Sequence, residues 1–280
     1  NIQGTGIHPL VVEATKMGMP VLDGIHSFLA GVRCLHQYRD FLKAHDEMNI
    51  DLDKEKIKFY QDQLSTADFF GEADALNMFS DLGIHANKSI IVSNQDDLLT
   101  LSKTLSFPVV LKTAVDNVLH KSELNAVYLG IESQEHLLES YQELQKNLPG
   151  DALLASMIES NGIEMILGMT TDQQLGPMIT IGFGGYYAEA LKDAVTLMPP
   201  FTAETAKTAI KSLRMKSLLD GYRGTDPVDI NAFAQMASVF SLIAIEFKEQ
   251  ISEIDINPVI LGKDNCIAVD ALISLHQQKK

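Results

Sequence analysis

Cysteine is scarce in these 280 residues: Cys34 and Cys266 stand far apart and have no companions. Two distant thiols make neither a disulfide framework nor a metal-ligand spacing, so a reducing compartment is expected and both are read as small buried hydrophobes. Basic residues are also few, 22 against 37 acidic ones, for a formal net charge of −15. That balance argues against nucleic acid or an anionic membrane surface as the main partner, while leaving room for a local basic pocket around one phosphate ligand. No apolar run approaches the roughly 18 residues of a membrane span, and the first residues lack a charged stretch followed by an apolar one. A cytoplasmic location is expected. An initiating methionine is missing too, and the chain runs straight into HPLVVEATKMGMPVLDG, so a fragment of a longer polypeptide is expected.

Apolar residues, in contrast, are plentiful at 46% of the chain. This is enough for a full core, and the length suits about two compact units of roughly 100–200 residues each. Residues 9–50 read as the end of an α/β unit: helical VVEATKMG, a short strand PVLD and the amphipathic SFLAGVRCLHQYRDFLKAHDE. The charged NIDLDKEKIKFYQDQLST then reads as a partly helical linker. Beyond it strands and helices interleave. GEADALNMFSDLG is a helix ended by Gly83, SIIVS a strand, and NQDDLLTLSKTLS a helix capped by Asn94 or Ser93. FPVVLK and AVYLGI are strands, and SQEHLLESYQELQKNLPG is a helix. ALLASMI, IEMILGMTTD and PMITIGF are further strands, TAETAKTAIKSLR and INAFAQMASVFSLIAIEF are helices, and ISEIDINPVIL and CIAVDALISL are closing strands. Interleaving of this kind defines an α/β or α+β class with mixed sheets.

Three groups of residues carry candidate chemistry. Lys112 ends the strand FPVVLK, which sets an ammonium at the mouth of a sheet, the place where ligands bind in open sheets; the alternative is an ordinary surface lysine. The loop after it carries His120 and Lys121, but a lone histidine is usually structural or solvated and gains a chemical reading only from the fold around it. Asp255 and Asn257 lie two apart on one strand and share a face, with Asp270 on the next strand. Two hard oxygen ligands plus nucleotide phosphates is how magnesium is commonly held; turn-adjacent acids capping local backbone is the competing reading. Gly182, Gly184 and Gly185 in TIGFGG allow close backbone approach to a ligand, or simply build a glycine hairpin.

FPVVLK, LHKSE, GIEMILGMTTDQQLGPMITIGFGG, AEALKDAVTLMPP, LLDGYRG and EIDINPV with AVDALI follow one another in an order that resembles the ATP-grasp region of NDP-forming acyl-CoA synthetases, over residues of about 70–275. The resemblance implies an ATP-grasp fold of two mixed-sheet subdomains, at 71–157 and 158–280, behind a linker at 51–70. It makes residues 1–50 the C-terminal tail of an upstream CoA-ligase-type domain. The activity it implies is the interconversion of acyl-CoA, ADP and phosphate with acid, CoA and ATP through phosphohistidine. His120 would be the phosphate carrier of the HKS loop and Asp255 the carboxylate that orients it. Lys112, Lys121 and Glu164 would face the nucleotide, with backbone groups of Ser156, Met157 and Ile158 at the adenine; Asn257 and Asp270 would hold Mg2+. ATP or ADP is then the ligand of this chain, CoA binds through the upstream domains, and a homodimer is compatible. The chain departs from the family pattern at Asn125 and Ala126, where a glycine pair is usual, and at Ala155 in place of a glutamine. A rival resemblance is the catalytically degenerate, regulatory synthetase-like module of a protein lysine acetyltransferase.

Overall fold

The computed structural model describes residues 9–19, 21, 24–43, 50–104, 106–114, 126–158, 162–172, 174–185 and 192–276. It divides into two compact units, Asn1–Glu47 and Met48–Lys280. The first carries helices α1 (Pro9–Lys16) and α2 (Gly24–Lys43). No residue of α1 is buried, and Met17, Ile25, Leu29 and Leu35 are exposed. Val21 is not in a strand, and the rest of the expected strand PVLD lies outside the described residues. Cys34 is exposed, which corrects the expectation that both thiols are buried; Cys266 is buried.

The second unit opens with α3 (Lys54–Thr66), in the stretch expected to be a partly helical linker. Its charged residues hide an apolar stripe: Ile57, Tyr60 and Leu64 recur at helical spacing and are buried in the main core. Asp53 caps the helix by accepting from the Glu55 and Lys56 N–H groups at 3.0 and 3.3 Å. Helix α4 (Glu72–Asp81) joins the same core through Leu76, Met78 and Phe79. It ends where Gly83 turns the chain at φ +96°, with the Ile84 N–H donating to Phe79 O at 2.9 Å and the Gly83 N–H to Ser80 O at 3.3 Å.

A four-stranded sheet follows, made of β1 (Ile90–Val92), β2 (Val109–Thr113), β3 (Val127–Ile131) and β4 (Ala152–Ser156) in the order β1-β4-β2-β3, all antiparallel. Helices α5 (Gln95–Leu101) and α6 (Gln134–Asn147) cover one face, capped by Asn94 and Ser133. Val109 and Leu111 of β2 enter the core beneath them with Leu98, Leu137 and Leu154. Strand alternation sends Lys112 to the opposite face.

The larger sheet contains β5 (Ile163–Asp172), β6 (Gly176–Phe183), β7 (Ala194–Leu197), β8 (Ile251–Leu261), β9 (Cys266–Ala268) and β10 (Ala271–Leu275). Its order is β10-β8-β5-β6-β7, with β9 on β8, and the pairings are antiparallel. One face is covered by α4, α7 (Ala203–Ile210) and α8 (Ile230–Glu246). Helix α8 is apolar nearly all round because it is buried nearly all round; its Ser238 and Ser241 hydroxyls donate to Phe201 O at 2.8 and 3.3 Å, so these buried polar groups are satisfied. Met165, Leu167 and Met169 of β5 and Ile254 and Ile256 of β8 point into this core, leaving Glu164, Ile166, Gly168, Asp255 and Asn257 on the other, open face. The expected strand CIAVDALISL is two strands, broken at Val269 and Asp270, and β7 is a strand the sequence reading passed over.

Candidate functional site

The break between β9 and β10 is the structural key to the open face. Met165 pairs with Val259 but Leu167 pairs with Ile256, so Asn257 and Pro258 together oppose Ile166 and form a bulge in β8. Pro258 has no N–H for the ladder, and the segment between β9 and β10 takes over the pairing: the Asn257 N–H donates to Asp270 O at 3.2 Å and the Val269 N–H to Pro258 O at 3.0 Å. Asp270 is thereby placed beside Asn257, the cross-strand neighbour that a short hairpin would allow.

Asp270 also meets Lys112. The lysine Nζ lies 3.4 Å from Asp270 Oδ2 and forms a second, tighter ion pair with Glu72 Oε1 from the first turn of α4. The Lys112 side chain is 8% exposed and that of Glu72 6%, against 37% for Asp270. Burial draws the Lys112 pKa down, but the charges of Asp270 and Glu72 and their hydrogen bonds outweigh it and hold the ammonium above the ordinary lysine value. Sequence reasoning found two of these three residues. Glu72 was missed because an acid in the first turn of a helix reads as ordinary complementarity to the helix dipole.

Next to Asn257 lies a cleft of about 240 Å³ lined by Ile166, Phe183, Gly184, Gly185, Lys192, Asp193 and Ala194. The three glycines at the end of β6 and just after it act differently. A Cβ at Gly182 would sit 2.8 Å from Ala194 Cβ and would break the β6/β7 pairing. Gly185 has φ +77°, and its Cβ would come within 2.8 Å of Glu164 Oε2, so its absence leaves room for that carboxylate at the edge of the cleft. The Gly184 N–H donates to Glu164 O at 2.7 Å.

Asp193 was not singled out from the sequence. Its buried carboxylate accepts from the backbone N–H groups of Arg214 at 3.0 Å and Met215 at 2.8 Å, and Arg214 Nε lies 3.6 Å away. Burial pushes its pKa up, but these two N–H donors and the guanidinium outweigh that and hold it below the usual aspartate value. Lys192, just before it, lies in the left-handed region, at φ 47°. An isolated aspartate between two elements gives no pattern by which sequence could find it.

Ser156 ends β4, Met157 and Ile158 follow it, and all three are half-buried. Met157 N–H donates to Pro108 O at 3.0 Å, and Ser156 O accepts from Asn87 Nδ2 at 2.9 Å, so two of the expected adenine-facing backbone groups are engaged within the protein. Ala155 and Ala126 are buried, and Ala126 O accepts from the Thr113 N–H at 2.9 Å, continuing the β2/β3 pairing. Asp255, half-buried on the open face, pairs in register with Gly168 and Leu272. His120, Lys121 and Asn125 lie outside the described residues.

Among the described residues no three His, Cys, Asp or Glu side chains converge as a ready-made metal centre. The exposed Asn257 amide and the half-exposed Asp270 carboxylate supply hard oxygen donors beside an open cleft. Such a partial set fits magnesium, which takes one or two protein ligands and completes its octahedron with waters and phosphates. Oxygen donors, Lys192 and a glycine-edged cleft thus lie on one open sheet face, and the smaller sheet delivers Lys112 to Asp270 at its border.

The ATP-grasp domain model matches residues 65–275. The β subunit of acetate–CoA ligase [ADP-forming] I from Pyrococcus furiosus is 33% identical over 211 residues, covering 73% of this chain and 90% of its own. Acetate–CoA ligase [ADP-forming] I from Archaeoglobus fulgidus is 28% identical over 244 residues, covering 84% of this chain but 35% of its own length. The dinucleotide-forming acetyl-coenzyme A synthetase 1 of Ca. Korarchaeum cryptofilum, solved with coenzyme A, Ca-AMPCP and HgCl+, superposes with TM-score 0.71 at 29% identity, over 80% of this chain and 100% of that one. A second structure of it, with coenzyme A and Mg-AMPPCP and its phosphohistidine segment pointing towards the nucleotide binding site, gives TM-score 0.68. The chain belongs to the ATP-grasp family, as the ATP-grasp portion of the ADP-forming acyl-CoA ligases. The regulatory-module reading finds no support in these relatives.

Proposed function

We propose that this chain binds ATP or ADP with magnesium and passes a phosphoryl group between the nucleotide and His120, as one part of the reaction acyl-CoA + ADP + phosphate = acid + CoA + ATP. The observation that carries this reading is the meeting of Lys112 with Asp270, 158 residues away in sequence, beside Asn257 on the open sheet face. Phosphoryl transfer asks for positioning and for neutralising charge on the phosphoryl oxygens, and this is equipment for both. Lys112 and Lys121 serve the phosphates, and Asn257 and Asp270 hold magnesium, which neutralises phosphate charge when bound. Glu164, at the cleft edge, faces the ribose or phosphates, and the segment Ser156–Ile158 meets the adenine. With two of its backbone groups engaged, that segment has fewer groups left for the base than its sequence suggested. His120 acts as nucleophile because imidazole is largely unprotonated near neutral pH, with Asp255 orienting the ring.

The relative solved with Mg-AMPPCP and a phosphohistidine segment turned to its nucleotide site supports this reading. Residues 1–50 are the tail of an upstream CoA-ligase-type domain that supplies CoA binding and acyl choice. In support, the Archaeoglobus fulgidus relative, of which this chain covers 35%, matches 84% of this chain, more than the residues 65–275 of the family match, which already reaches near the C-terminal end. The exposed apolar side chains of α1 and α2 agree with a segment built to pack on more protein. Calorimetric titration with ATP and ADP, with and without magnesium, tests the reading: saturable, magnesium-dependent binding that is lost in Lys112→Ala is expected, and an unchanged affinity in the variant removes Lys112 from the site. In the complete synthetase His120→Asn should spare ATP binding and abolish turnover; turnover at the wild-type rate would end the carrier role.

A further inference from the structure

Lys112 has two carboxylate partners that are not equivalent. Asp270 is shared: it borders the open face, its side chain is 37% exposed, and its backbone is tied to Asn257. Glu72 stands behind the ammonium: its side chain is 6% exposed, it comes from a different element, and it makes the closer contact. A buried carboxylate and a buried ammonium each carry a large desolvation cost, which their mutual attraction offsets only while both are present. Any cation drawn to Asp270 from the open side competes with the ammonium for the same oxygens. Under that competition Glu72 is the charge that remains behind Lys112.

We propose that Glu72 is a positioning residue for nucleotide binding: it anchors the Lys112 ammonium from behind, in its charged form, and so frees Asp270 for the magnesium nucleotide. The inference rests on the nucleotide-site reading above. Without Glu72 the ammonium has Asp270 as its counter-ion, leans onto it, and contends with magnesium for it. Glu72 acts through Lys112 and does not touch the ligand.

The test is calorimetric titration of the 280-residue chain with Mg-ATP, and with magnesium at fixed ATP, for wild type, Glu72→Gln, Glu72→Asp, Lys112→Met and the double variant Glu72→Gln/Lys112→Met. Loss of a hydrogen bond to a charged group corresponds to a fall of about tenfold or more in affinity, and that is expected for Glu72→Gln. Glu72→Asp, which keeps the charge, should stay within about threefold of wild type on the same scale. The double variant should bind Mg-ATP as Lys112→Met does, because a residue acting through Lys112 has nothing left to act on. Half-saturating magnesium should rise in Glu72→Gln and return to the wild-type value or below in the double variant. A purely structural role would move the melting temperature and leave that magnesium dependence unchanged. If Glu72→Gln does not fold, Glu72→Asp and the double variant, which strands no charge, carry the comparison. Wild-type chain that fails to bind Mg-ATP overturns the nucleotide-site reading and this inference with it. Wild-type binding with an unaltered Glu72→Gln overturns the role of Glu72 alone, as does a double variant weaker than Lys112→Met or a folded Glu72→Asp that falls as far as the glutamine variant.

Discussion

Replacing Asp193 with alanine should destabilise the larger unit by about 3 kcal/mol. Its carboxylate accepts two backbone N–H groups, from Arg214 at 3.0 Å and Met215 at 2.8 Å, and stands 5% exposed. Hydrogen bonds to a charged group contribute roughly 1.5–3 kcal/mol each, and the two donors belong to one turn and do not add fully. The Arg214 guanidinium is largely exposed, so its 3.6 Å contact adds little. For a unit of this size about 3 kcal/mol corresponds to roughly 6–12 °C in Tm, readable by calorimetry or near-ultraviolet circular dichroism. Asp193→Asn keeps one acceptor and should lose about half as much. The pH dependence follows from the depressed pKa: the charged form is favoured by folding, so the stabilisation is present above the unfolded aspartate value of about 3.9 and is lost as pH falls through the lower folded value. The gap between wild type and Asp193→Ala should therefore be constant from neutral pH to about 5 and close only below about 4. A gap under about 0.5 kcal/mol at pH 7, or one that closes between pH 7 and 5, would refute the assignment of this carboxylate as the tie between β7 and the turn at Arg214.

The other expectations concern packing, the cleft and the thiols. Phe240→Ala removes a fully buried ring in edge contact with Phe79, centroids 6.3 Å apart, and should cost about 3–5 kcal/mol in urea unfolding. Gly185→Val, which meets Glu164 Oε2 and demands φ +77°, should weaken Mg-ATP binding at least about tenfold in a titration while far-ultraviolet circular dichroism stays native. Asn257→Ala should raise the magnesium needed for half-saturation without changing metal-free ATP binding, measured by calorimetry at several magnesium concentrations. Native protein should show Cys34 reacting fast with a thiol reagent and Cys266 only on unfolding, because burial pushes the Cys266 pKa up to about 12.

Much of the fold was legible because it is local. The cap at Asn94, the stop at Gly83, and the strands Ile163–Asp172 and Ile251–Leu261 lie where turn chemistry and alternation put them. Helix Lys54–Thr66 was legible as partly helical from its lysine and glutamate content, but not as a core element, since only packing buries its Ile57, Tyr60, Leu64 stripe. The four-residue strand Ala194–Leu197 is too short for alternation to register, and it exists because Gly182 lets its backbone approach β6. The split of CIAVDALISL could not be seen, since the bulge that demands it lies on the other strand, at Pro258.

For the site, the sequence by itself determined which residue types were available and that Asp255 and Asn257 share a strand face; Lys112, expected at the end of its strand, instead lies one residue inside β2 and is buried. Tertiary structure alone decided who meets whom. Glu72, Lys112 and Asp270 come from a helix, one sheet and the other sheet, and nothing in their spacing along the chain links them. Pattern along a chain reports the face a side chain takes, because periodicity is a property of the local backbone. The partner of a buried charge is set by which faces the packed core brings together.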